Sequence, residues 1–354
     1  KTGDAAALTS LALLTFFSHG ENFQSRDFGE TIRKGADFLV ELSDIPGIEY
    51  AGSGFGHAIL TYALAEGYAI SGSMSLRNAL ERRLKILVSQ QNKFGIFAPN
   101  YDNSPQAPLT TEQQDNPLAK ETIAGEPVCD LSLLGWHIQA MAAARNAGLE
   151  LESLDKALAL ASESLVKIHQ AQKGGFSQGI NMKRFPDHEN MNAVGLLGLQ
   201  LLGSGKSNPA RRTERILHDE AVPQWKHGRG FPLYRWYYQT QALFHAEQGR
   251  GKKWDVWNRN LKQELLEAQQ MDGSWKLPGG DTSFRVKNQT DLTIYGTSLC
   301  GLMLQVYYRY LPSYSITETM RYRPKADEYD LGGGDLISYL PGGADPMAAV
   351  ILGI

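Results

Sequence analysis

Three carboxylates and two histidines stand where a helical chain could use them chemically. Glu66 lies inside HAILTYALAEGY, a run whose residues are apolar or small nearly all round. A carboxylate buried there needs a partner or a proton. Glu66 is therefore a candidate general acid, with a hydrogen bond to an adjacent buried helix as its structural alternative. Asp130 opens DLSLLGW and Asp291 opens DLTIYG, each ahead of a buried helix. An aspartate at such a place accepts from the first-turn N–H groups as an N-cap. The same unpaired N–H groups, with the partial positive charge of the helix end, can also hold a ligand. His57 and His137 sit on two of these helices, where a histidine serves as a hydrogen-bonded core residue or as a base. Asp130, Glu66 and His57 are the candidate catalytic groups; Asn190, Asn192, Tyr234 and Asp291 are the candidate polar lining of one pocket.

Tyr234, Trp236, Tyr237 and Tyr238 form the densest aromatic cluster, and Trp136 in DLSLLGW joins them as a candidate ligand contact. Such rings stack on sugars or polyenes, or stabilise a carbocation. They also fill helical barrels with no ligand at all. Cys129 and Cys300 match no zinc or redox spacing, so no metal site is expected. Gly54 and Gly56 precede a helix with no strand before them, which is not a dinucleotide loop, and no cofactor is expected.

The elements that must position these groups are helices of two kinds. DAAALTSLALLTFFSHG, GFGHAILTYALAEGYAISG, DLSLLGWHIQAMAAARNAGL, NMNAVGLLGLQLLGSG, LYRWYYQTQALFHAEQG and DLTIYGTSLCGLMLQVYYRYLP are buried nearly all round. Between them run two-faced helices, such as FGETIRKGADFLVEL and WDVWNRNLKQELLEAQQ, with apolar residues at three- and four-residue spacing. The unit recurs every ~45–60 residues, the mark of a repeat architecture. An open solenoid caps its ends with polar faces. Here the first and last buried helices are among the most apolar, so the ends should meet. The expected fold is all-α, an (α/α)6 toroid over 1–312 in which inner helices run parallel inside outer ones. An insertion at 98–127 breaks the rhythm and is either a lid or a surface loop. An extended Gly- and Pro-rich tail occupies 313–354.

Composition is that of an ordinary globular protein: 42% hydrophobic, 21% charged, formal net charge −3 over 354 residues. That balance points to no nucleic-acid partner. Because the sequence starts at Lys1, an upstream segment is expected to have been removed. Export, membrane anchoring or a peripheral membrane contact therefore stays open, as does the oligomeric state.

Gln269, Gly273 and Trp275 have the Q-x-x-x-G-x-W spacing that resembles the QW repeat of squalene–hopene cyclases and related terpene cyclases. With HAILTYALAEGY, NAVGLLGLQLLG, WYYQTQALF and VYYRYLP, the chain is similar to prenyltransferase/squalene oxidase repeat proteins over most of 2–312. The resemblance implies an α/α toroid shared with protein prenyltransferase β-subunits and complement thioester domains. It implies a central cavity for an apolar or isoprenoid-like ligand, and cyclase-type isomerase or intramolecular transferase chemistry. The D-x-D-D acid motif, the prenyltransferase D-x-C and the thioester Cys-Gly-Glu-Gln run are all absent. Two other readings use the same barrel. A carbohydrate-active (α/α)6 enzyme would need two carboxylates about 5–10 Å apart on one cleft. A non-catalytic interaction module would show a filled barrel with an exposed apolar patch on its rim or tail.

Overall fold

The computed structural model describes residues 2–45, 54–97, 101, 129–171, 175–176, 179–180, 191–218, 222–228, 231–279 and 288–306. The chain divides into two compact units, 1–322 and 323–354, and all described residues belong to the first. Asn190, the tail at 313–354 and, Tyr101 excepted, the insertion at 98–127 lie outside the described residues.

Among these residues the regular structure is helical, save a two-residue antiparallel pairing of Cys129–Asp130 with Gly179–Ile180 and an isolated bridge between Gln91 and Phe97. The helices are α1 (Thr2–Ser18), α2 (Gly29–Asp44), α3 (Gly54–Ser71), α4 (Met74–Ser89), α5 (Leu131–Asn146), α6 (Glu152–Ala171), α7 (Asn192–Leu201), α8 (Asn208–His218), α9 (Pro232–Glu247), α10 (Lys252–Ala268) and α11 (Gln289–Leu304). The odd-numbered helices form the inner layer. Each packs on the next in the series α1, α3, α5, α7, α9, α11, and α11 packs back on α1. The series is therefore a closed ring of six. Its seam is hydrogen-bonded: Thr15 donates to the Ser298 carbonyl at 3.2 Å, and Ser18 Oγ donates to Gln305 Oε1.

The even-numbered helices lie outside, and their buried residues show why. Ile32, Ala36 and Leu39 on α2, Leu76, Leu80, Leu84 and Leu87 on α4, and Trp254, Trp257, Leu261 and Leu265 on α10 each make one inward stripe. α5 and α7 have no exposed face: every residue of α7, and all but the last two of α5, is buried.

The turns that lead from outer to inner helices repeat at atomic detail. Gln269 Nε2 donates to the Gly273 carbonyl at 2.9 Å, and Gln91 Nε2 to the Gly95 carbonyl at 3.1 Å. Both glycines have left-handed backbones, φ +84° and +79°, which a side chain would strain. Two residues on, Trp275 and Phe97 are buried. Trp275 then ties two helices together, its indole N–H bonding the Leu265 carbonyl of α10 at 2.7 Å and its backbone N–H the Thr297 hydroxyl of α11 at 3.1 Å.

Candidate functional site

Inner helices point the same way, as their cross-links show. Early residues meet early residues, Ser132 with Tyr234, and late ones meet late ones, Gln200 with the Ala242 carbonyl. Their N-termini therefore share one mouth. Asp130 stands there as the N-cap of α5. Its Oδ1 accepts from the Ser132 N–H at 2.9 Å, the Ser132 hydroxyl at 2.5 Å and the Leu133 N–H at 3.4 Å. Its Oδ2 has no hydrogen-bond partner among the described residues. Burial lifts this carboxyl above the usual aspartate range, against the pull of the Ser132 and Leu133 donors.

Beside it, the Tyr234 hydroxyl of α9 donates to the Ser132 carbonyl at 2.8 Å. Burial drives this phenol well above its ordinary range; the Asp130 carboxylate and Tyr295 of α11 add to the shift. Asp291 lies one helical turn before Tyr295 on the same face of α11. It is not the cap expected for it. Asn288 caps α11 by accepting from the Thr290 N–H at 3.0 Å, and Asp291 sits in the first turn. The two D-L-[ST] sequences thus begin their helices in different frames.

Below the mouth the ring is filled. Trp136 stacks on Tyr237 with centroids 5.4 Å apart and planes 21° off parallel, and meets Tyr234 and Tyr238 edge-on. α5 and α9 are separated by α7 in the ring, so these contacts cross the interior. Gln139 Nε2 of α5 reaches the Tyr237 hydroxyl at 3.1 Å and Gln241 Oε1 at 3.4 Å. Burial pushes Tyr237 up to about 12; the amides of Gln139 and Gln241 oppose that, Glu66 adds to it, and Tyr62 opposes it. Tyr62 and Glu66 belong to α3, on the far side of the ring from α9. The centre is therefore an aromatic and amide plug with a carboxylate in it. Exposure falls from 8% at Tyr234 to 1% at Tyr237 and Glu66.

Three expectations need correction. His57 does not face the mouth: its Nε2–H donates to the Arg83 carbonyl of α4 at 2.9 Å, and its ring packs against Tyr101. His137 shares that interlayer pocket. It donates through Nδ1 to the Leu133 carbonyl at 2.8 Å and accepts at Nε2 from the Tyr101 hydroxyl at 2.7 Å. Trp236 turns away from the lumen to Trp225, because it stands about 100° round α9 from Tyr237. Asn192, at the start of α7, is buried and accepts from the Phe176 N–H at 2.8 Å, fixing the turn ahead of the helix. Tyr238, Gln139 and Gln241 were missed as site neighbours. In the sequence Tyr238 stands out only as part of an aromatic cluster, and amides on buried helices carry no motif.

No family model matches the chain, and no curated protein matches its sequence. The structure is similar to that of the glycoside hydrolase family 76 (mannosidase) Bt3792 from Bacteroides thetaiotaomicron VPI-5482. The TM-score is 0.53 at 10% identity, over 88% of this chain and 87% of that one. At that identity the likeness is one of fold, and the fold is the helical α/α toroid.

Proposed function

We propose that the mouth of the ring is a carbohydrate site and the chain a carbohydrate-active α/α-toroid protein, with Asp130 as general acid and Asp291 as the second carboxylate. The observation that carries this reading is the divided carboxyl of Asp130. Oδ1 serves the helix cap, while Oδ2 has no partner among the described residues, and the group prefers its protonated form more than a free aspartate does. A carboxyl so held can deliver a proton to a leaving-group oxygen. Tyr234, the ring of the cluster nearest the mouth, supplies the aromatic surface that a sugar ring would meet, with Trp136 packed behind it. The second carboxylate must then stand about 5 Å away to attack the sugar directly, or about 6.5–9.5 Å away to activate water. The fold likeness to a mannosidase supports the same class.

The terpenoid reading fares worse. A polyene needs a deep apolar hollow, and here Tyr237, Gln139, Gln241 and Glu66 occupy the interior. The filled lumen also suits a non-catalytic module that binds glycans without turnover. One experiment separates the two. Manno- and gluco-oligosaccharides are tested for binding by calorimetry and for release of reducing ends. Asp130→Asn keeps an Oδ1 for the cap and removes the proton, so turnover should fall ~10²–10⁴-fold with binding and melting unchanged. Binding without turnover in the wild type selects the module; no binding of any oligosaccharide rejects the site.

A further inference from the structure

We infer that the end of the ring opposite the mouth docks on the anionic phospholipid headgroups of a bilayer. The C-terminus of α7 leads into α8 and that of α9 into α10, so both outer helices start at this end. Lys206, Arg211, Arg215, Arg250, Lys252 and Lys253 are all exposed there. Arg211 and Arg215 lie one turn apart, with Arg215 Nε 3.4 Å from the Arg211 carbonyl. Lys253 Nζ lies 3.5 Å from the His218 carbonyl, which joins the first turn of α10 to the last of α8 in one stripe. None of the six makes an ion pair among the described residues.

Nearby carboxylates mostly turn inward. Glu247 accepts from the Trp254 N–H at 2.8 Å and, with Glu214, faces His218. Asp255 is the exposed acid of this face, and Asp219 and Glu220 lie outside the described residues. Val256, 47% exposed, stands among the cations. Long basic side chains around an exposed apolar residue suit a headgroup layer, where the charges attract and the apolar group enters. A soluble polyanion would use the charges alone.

The test is sedimentation of the full chain with vesicles of equal parts phosphatidylcholine and phosphatidylglycerol, and with pure phosphatidylcholine, at low salt. Expected are pelleting with the first alone and release at about 0.5 M salt. At roughly fivefold per cation, the triple variant Arg211→Ala, Arg215→Ala, Lys253→Ala should partition about a hundredfold more weakly. Lys34→Ala with Lys156→Ala, exposed elsewhere, should change nothing. If the triple variant melts abnormally, Arg215→Gln and Lys253→Gln singly should each cost about fivefold. Failure to pellet with anionic vesicles, undiminished pelleting of the variants, or binding to soluble polyphosphate but not to vesicles would overturn the inference.

Discussion

His137 is neutral for a reason written in its contacts. Burial pulls its pKa from 6.5 down to about 3; the Leu133 carbonyl resists this, and His57 adds to it. In the unfolded chain the same imidazole titrates near 6.5. The folded pKa is the lower one, so the unfolded state binds more protons between the two values. The stability involved is complete above about 6.5 and is lost as pH falls toward about 3. The melting temperature should therefore drop across that window, and His137→Gln should flatten the drop. An unchanged acid limb in the variant would assign the titration to another group. Tyr101→Phe should cost ~1–3 kcal/mol in urea unfolding, because it leaves Nε2 of His137 buried without its donor.

Close approach between helices and their connecting turns depends on missing side chains. A Cβ on Gly195 of α7 would lie 2.2 Å from the Phe176 ring, and one on Gly135 of α5 would lie 2.5 Å from Val194. Alanine is ordinarily the better helix former by ~1 kcal/mol. At Gly195 overpacking should reverse the sign, for a net loss of ~1–2 kcal/mol. A Gly195→Ala protein that unfolds at higher urea than the wild type would show that the Phe176 turn yields freely. The same scale explains two redirected side chains. His57 and Trp236 stand on the helices expected for them, but a step of one residue turns a side chain by about 100° and carries both out of the lumen.

At the scale of the molecule, stability rests on closure. α1 is held between α3 and α11, and nearly all its apolar residues are buried or half-buried. Removing residues 1–19 would expose the flanks of both neighbours together. The truncated chain should lose its cooperative melt and bind a hydrophobic dye. A sharp transition at the wild-type temperature would mean that the other five inner helices stand without the seam. Closure also makes the mouth, since it brings Asp130 of α5, Tyr234 of α9 and Tyr295 of α11 to one end.

Local order was legible in the amino-acid sequence. Burial all round or on one stripe is a property of a single helix, so the six inner and five outer helices could be read from periodicity, and their apolar ends implied a ring. The cap at Asp130 was readable for the same reason, since an N-cap bonds residues two and three places on. What required the tertiary structure is whatever joins helices distant in sequence. Tyr237 meets Gln139 and lies within the electrostatic reach of Glu66 because the ring's diameter brings non-neighbouring helices together. Those polar groups stand where the resemblance implies a central cavity. A formal charge of −3 hides a basic face because net charge has no direction, and only the packing of α8 beside α10 gathers those cations.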